Sequence, residues 1–371
     1  MPKRKVLWKW YTLMTRIFEY NGLPAHVIFG YETLDRVRAE VEKLDIKRAI
    51  VLTTPGSKEK GNQISELLGS ISAGVYPFAK MHTPVNVTED ALTFFHAQKA
   101  NGIVAIGGGS TIGLGKAIAL RTDCPQLVIP TTYAGSEMSP YLGQTENGLK
   151  TTITSRKVLP ETVIYDVALT HTLPARFTAA SGINAIAHAA EALYAKNTNP
   201  IVKLIAAEGI SVLREALPKV VQNLDDRQGR FNALYGTWLC SIVLGQVSMA
   251  LHHKICHAIG GSFNLPHADI HANVLPHAIA YNSKAAALAV ETIATSIGDQ
   301  NAALGLYNLN KEIGVYASLK DLGMPESGIE IILDQIMTTP YWNPRKMNRG
   351  ALNKLLQRVW TGAPPKYDPD E

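Results

Sequence analysis

GIVAIGGGSTIGLGKAIAL, residues 102–120, decides how the chain is read. A short apolar run leads straight into three glycines and a serine, and a helical pattern follows. Glycine lets a backbone approach a pyrophosphate closely, and a helix start offers unpaired N–H groups together with the positive end of the helix dipole. Gly107, Gly108, Gly109 and Ser110 are therefore candidate phosphate-binding residues. The string would also serve as a plain glycine-rich turn; the strand–GGGS–helix context favours the ligand, although this is not the GxGxxG fingerprint of the common dinucleotide fold.

Outward from that loop, HVIFG (26–30), RAIVLTT (48–54), GVYPF (74–78), QLVIPTT (126–132) and TVIYD (162–166) read as further strands. Residues 57–70, 87–100 and 110–120 read as helices between them. Near-continuous apolar strands separated by helices indicate a parallel sheet covered on both faces, a Rossmann-like α/β unit. KTTITS (150–155) breaks the rhythm and predicts an added hairpin.

After THTLP (170–174) the texture changes. Residues 174–195, 200–223, 231–247 and 249–261 carry helical periodicity, and Pro174, Pro200 and Pro266 sit where helices start. The expected organisation is an extension over 1–20, a dinucleotide-binding α/β domain over 21–173 and an all-α substrate domain over 174–371. A chain of 371 residues has room for two such domains.

Charge excludes one class of partner. Lys and Arg number 36 against 31 Asp and Glu, but Lys3, Arg4, Lys5, Lys9 and Arg16 all fall in the first 16 residues, where there is no acid. The rest of the chain is neutral, so no nucleic-acid partner is expected. Lys9 and Arg16 interrupt any signal-peptide core, no apolar run reaches the length of a membrane span, and three scattered cysteines make no disulfide framework. The expected compartment is the cytoplasm, with no membrane partner.

Ligands of open parallel sheets bind at the carboxyl ends of the strands. PTTYAGSEMSP (130–140) places Thr131, Thr132, Tyr133 and Ser136 there, and Thr53 and Thr54 end the strand over 48–54. Dinucleotide folds often carry an acid at that last position for the adenosine ribose. Here there is none, and Lys58 and Lys60 follow, so either NADH or NADPH is admitted.

Histidines are concentrated elsewhere. Asn184 and His188 are four apart in SGINAIAHAAEA (181–192), which places them on one helix face. His253 and His257 repeat the spacing in LHHKICHAIGGSFNLPHADIHANVLPH (251–277), and six of the 11 histidines lie within 252–277. Clusters of this kind mark metal or acid–base chemistry. His252 and His277 read as structural members.

GGGSTIGLGKA (107–117), PTTYAGSE (130–137), GINAIAHAAEA (182–192) and HHKICHAIGGSFNLPHA (252–268), in that order, resemble the iron-containing alcohol dehydrogenase family. MHTPV (81–85), KAIALRTD (116–123), PTTYAGSEM (130–138), LPHA (265–268) and NPR (343–345) are similar to its maleylacetate reductase branch. The likeness runs from FEYNG (18–22) to VWTG (359–362). It implies the fold shared with dehydroquinate synthase: an N-terminal nicotinamide-binding domain, a helical C-terminal domain and a catalytic cleft between them. It further implies NAD(P)H-dependent reduction of maleylacetate, a small dicarboxylate, to 3-oxoadipate in aromatic-compound degradation, by a homodimer.

Metal-dependent members of that family hold their ion through one Asp and three His. By motif the three His fall on His188, His253 and His267, but the Asp falls on Asn184, and Gly113 stands where such members often carry another Asp. An amide oxygen lacks the charge that holds a divalent ion against water, so no metal is expected. Maleylacetate is a dianion that a carboxylate at 184 would repel, and its C=C bond is already activated by the adjoining ketone. His253, His257 and Lys254 are the expected donors to the enolate oxygen and substrate carboxylates, with His188, His267 and Asn184 completing the site. Three alternatives stand beside this reading: a metal-dependent alcohol or polyol dehydrogenase in which Asn184 is a tolerated ligand, a lyase like 3-dehydroquinate synthase, and a non-catalytic module that keeps the fold.

Overall fold

Four strands with every residue buried, β2 (Ala49–Leu52), β4 (Gly102–Gly107), β5 (Gln126–Pro130) and β8 (Thr162–Asp166), form the centre of a six-stranded parallel sheet. β1 (His26–Gly30) and β3 (Ser72–Tyr76) are its edges, in the order β1-β8-β5-β4-β2-β3. In this computed structural model residues 20, 22, 23, 25–146, 149–315, 318–338 and 341–367 are described. The expected extension over 1–20 therefore lies almost wholly outside the described residues.

The near-continuous apolar runs behave as their pattern predicts, because both sheet faces are covered. Helices α1 (Val37–Lys43), α2 (Lys58–Leu68), α3 (Val85–Ala97) and α4 (Gly109–Thr122) connect the strands. β3 sits two residues earlier than the expected 74–78, since Pro77 has no N–H to continue the ladder. KTTITS pairs antiparallel as β7 (Leu149–Thr154) with β6 (Tyr141–Glu146). β6 carries the right alternation, but the buried Gln144 takes an inward position and masks it in the sequence.

The chain leaves β2 towards β3 and leaves β4 towards β5, so the order reverses between β2 and β4. Such reversals open the crevice that ligands occupy at the strand ends.

From Ala175 onward the described residues form helices and no strand: α5 (Ala175–Tyr194), α6 (Pro200–Gln222), α7 (Arg227–Gln246), α8 (Leu251–Phe263), α9 (His267–Asn282), α10 (Ala287–Ile297), α11 (Ala302–Glu312), α12 (Gly328–Thr338) and α13 (Arg349–Thr361). Pro174 and Pro266 cap α5 and α9, and Pro200 opens α6. α5 is buried along almost its whole length, its alanines permitting close approach on every side. A Cβ on Gly182 would lie 2.4 Å from Leu217, so only glycine lets α6 pack this near. α5 thus brings its polar residues into the molecular interior. Among the described residues no single helix is long and apolar enough to cross a membrane.

Candidate active site

The glycine loop is built as its sequence requires. Gly107 has φ +155°, and a Cβ there would lie 2.4 Å from Thr111 Oγ1. A Cβ on Gly108 would meet Thr132 Oγ1 at 2.9 Å, whereas one on Gly109 would meet nothing nearer than Ala134 Cβ at 3.8 Å. Gly107 and Gly108 are thus demanded by the fold itself. Gly109 opens α4 and is exposed, leaving its side clear over the helix N-terminus, where a phosphate is favoured.

The loop after β5 joins this crevice to the histidines. Gly135 has φ +80°, and a Cβ there would stand 2.7 Å from Ser241 Oγ and 3.6 Å from His188 Cε1. Lys116, 1% exposed, holds the loop from below through hydrogen bonds to the carbonyls of Ser136, Ser139 and Tyr141. Burial pushes its amine down to about 7, against the pull of the buried Glu137.

Two of the expected cofactor residues are placed differently. Tyr133 is wholly buried and packs with Val163 and Tyr165 against the helical half, so it belongs to the core rather than to a cofactor surface. Thr53 is also wholly buried, its hydroxyl donating to the carbonyl of Ser57 and its methyl filling the space beside Gly61. Alternation explains both: the side chain next to a surface-facing one at a strand end turns inward. Thr54, Thr131, Thr132 and Ser136 retain partial exposure.

Four of the expected site histidines form one array. His188 on α5 stacks on His253 of α8, with ring centroids 5.3 Å apart and planes 27° apart. His253 lies 6.1 Å from His257, and His257 lies 6.5 Å from His267 on α9. His188 and His253 are buried, while His257 and His267 are exposed. Behind them His252 Nε2 and His271 Nδ1 share a hydrogen bond of 3.0 Å, with Cys256 Sγ 3.7 Å from His252 Nε2. Burial holds His188, His252 and His271 well below the ordinary histidine value, and the neighbouring rings add to the effect. His188 therefore acts as a neutral ring, and positive charge for an anionic ligand falls to the outer residues. Among these Lys254 stands 5.5 Å from the Tyr341 ring centroid, its amine lowered by burial.

Glu191 is the functional residue the sequence did not reveal. It is completely buried on α5, one turn beyond His188. Its carboxylate accepts from His253 Nδ1 at 2.7 Å and from the backbone N–H groups of Ala250 and His252 at 2.7 and 2.8 Å. It thereby caps α8 and fixes the ring next to the cap. A carboxylate only accepts, so Nδ1 carries the proton and Nε2 faces the array. Among the described residues His253 Nε2, His188 Nδ1 and Asn184 Oδ1 are buried without a hydrogen-bond partner. Three unsatisfied polar atoms on adjoining helices are costly unless a polar ligand completes them.

A divalent metal fits this donor set poorly. The matched residues Asn184, His188, His253 and His267 supply no negative charge, and the nearest carboxylate, Glu191, already accepts from His253 and two backbone groups. Among the described residues the only three His, Cys, Asp or Glu side chains with donor atoms within 4.8 Å of one another are His252, Cys256 and His271, a different set. There His252 and His271 already bond each other, and burial holds the Cys256 thiol well above its ordinary value, away from the thiolate that metals require.

Known proteins resemble the chain over nearly its whole length. The profile of the family described as iron-containing alcohol dehydrogenase matches residues 24–167, and that of the Fe-containing alcohol dehydrogenase family, C-terminal, matches residues 178–360. The maleylacetate reductase of Rhizobium sp. (strain MTP-10005) is 48% identical over 349 residues, which cover 94% of this chain and 99% of that protein. The maleylacetate reductase of Burkholderia cepacia is 49% identical over 348 residues, with the same coverage of 94% and 99%. The crystal structure of maleylacetate reductase from Agrobacterium tumefaciens superposes with a TM-score of 0.92 at 47% identity, covering 94% of this chain and all of that one.

Proposed function

The chain belongs to the iron-containing alcohol dehydrogenase family, and from that membership we propose that it reduces the activated C=C bond of maleylacetate to give 3-oxoadipate, using NADH or NADPH and no metal ion. The observation that carries the metal-free reading is Asn184. A neutral amide occupies the place of the family's acidic ligand, within an array that otherwise keeps its histidines.

The dinucleotide's pyrophosphate is assigned to Gly107–Ser110 at the start of α4, with Thr131, Thr132 and Ser136 lining the crevice towards His188. When bound, the reduced nicotinamide supplies a hydride to the alkene carbon β to the ketone. Negative charge then gathers on the ketone oxygen, and His253 is the donor assigned to it: with Nδ1–H held by Glu191, Nε2 donates when the ring carries its second proton. Lys254 and the exposed His257 and His267 bind the two carboxylates through charge-assisted hydrogen bonds. A proton from His257 or His253 completes the carbon α to the ketone. Asn184 and His188 present neutral polar atoms to the substrate, where an acid at 184 would repel a dianion. The reading treats residues 21–173 and 174–371 as the two halves of the site, and includes a cytoplasmic homodimer.

Steady-state oxidation of NADH and NADPH with maleylacetate tests the proposal. Stoichiometric 3-oxoadipate and little turnover of simple aldehydes are expected. Aldehyde or polyol turnover that exceeds turnover of maleylacetate would favour the alcohol dehydrogenase reading instead.

A further inference from the structure

His277, which reads as structural in the sequence, lies on α9 ten residues beyond His267, about 15 Å along the helix from the catalytic array. It is 4% exposed, yet forms no hydrogen bond among the described residues, and it lines a cavity of about 250 Å³ between α9, α13 and the segment after α13. Among the described residues Arg345, Lys354, Arg358 and Lys366 line the same cavity, and no Asp or Glu does.

The wall is built rather than incidental. Arg345 packs over the Tyr281 ring at 4.2 Å and donates to the Tyr281 carbonyl at 3.1 Å, while the Tyr281 hydroxyl donates to the Lys346 carbonyl at 2.9 Å. Tyr367, also in the lining, donates its hydroxyl to Asn301 Oδ1 at 2.6 Å. Lys354 and Arg358 are one turn apart on α13, where like charges repel, and with Lys366 they form no ion pair among the described residues. Burial and the Arg358 charge hold His277 at about 3, so it enters the cavity neutral. A buried imidazole without a hydrogen-bond partner beside three cations without an acidic partner, among the described residues, is an arrangement that a bound anion satisfies.

We propose that this cavity is a second, non-catalytic binding site for a small multiply charged oxyanion, carried by a phosphate or a polycarboxylate. At about 30 Å³ per water the space holds such an ion with part of its hydration shell. The site is separate from the substrate and cofactor positions and does not depend on the reaction assigned to them.

Isothermal titration of the full-length protein with inorganic phosphate, at constant ionic strength and with NADH saturating the glycine loop, tests the proposal. One saturable site is expected, weakened about tenfold or more in the Lys354→Gln/Arg358→Gln variant, with turnover in phosphate-free buffer unchanged. Displacement of the phosphate by succinate, in a His253→Ala background, assigns carboxylates to the same site; failure of succinate to compete restricts it to phosphate. The sequence continues past Tyr367 with Asp368, Asp370 and Glu371, so a chain ending at Tyr367 is measured in parallel. Binding only by the shortened chain, no saturable binding, or equal affinity in the double variant overturns the proposal.

Discussion

His253→Ala lowers kcat with maleylacetate by about 10²- to 10⁴-fold, the range set by removing a positioned acid–base group, while NADH affinity stays near that of the parent. The two effects separate because His253 is on α8 and the glycine loop is on α4. Glu191→Gln is expected to lower kcat as well, since an amide no longer holds Nδ1 of His253 as a carboxylate does. Glu191 also caps α8 through the N–H groups of Ala250 and His252, so some loss of stability accompanies the change. A double variant distinguishes positioning from stability. If Glu191 acts through His253, adding Glu191→Gln to His253→Ala lowers kcat no further, whereas independent effects would multiply. Near-normal turnover of His253→Ala would remove the ring from the mechanism.

Gly107→Ala is expected to abolish nicotinamide binding and to cost about 1–3 kcal/mol of stability. The residue combines φ +155° with a Cβ position 2.4 Å from Thr111 Oγ1 and 2.9 Å from Thr111 Cβ. Thr111 is wholly buried in the first turn of α4, so it cannot swing aside without moving the helix start. Gly109→Ala makes the sharper contrast. Its Cβ meets no protein atom within 3.8 Å, so the variant folds as stably as the parent, but the methyl enters the space above the helix N-terminus. NADH titration and thermal melts together check this. A Gly109→Ala protein that binds NADH normally would place the pyrophosphate elsewhere.

The parallel sheet and its glycine loop were legible because burial on both faces leaves apolar runs that glycine then ends. The histidine array was legible because spacings of four put ring beside ring on a helix. Other features depend on contacts the linear chain does not display. Glu191 looks like an ordinary acid in an alanine-rich helix until α8 arrives about sixty residues later with its first N–H groups pointing at it. Tyr133 and Thr53 stand at strand ends, but which way a side chain turns there depends on the packing beneath. The charge state of His188 was likewise hidden: only its burial beneath the other rings makes it neutral. His277 looked structural because nothing in the sequence places Lys354, Arg358 and Lys366 around it.

The claim on which the mechanism turns is that Asn184 leaves a pocket suited to a dianion and unsuited to a divalent ion. Turnover of maleylacetate by protein dialysed against EDTA, with iron and zinc measured in the same sample, is its most direct test. Full activity at metal contents far below one ion per chain is the expected result, with Asn184→Asp raising the KM for maleylacetate. Activity that is lost with the metal and restored by adding it back would contradict the claim.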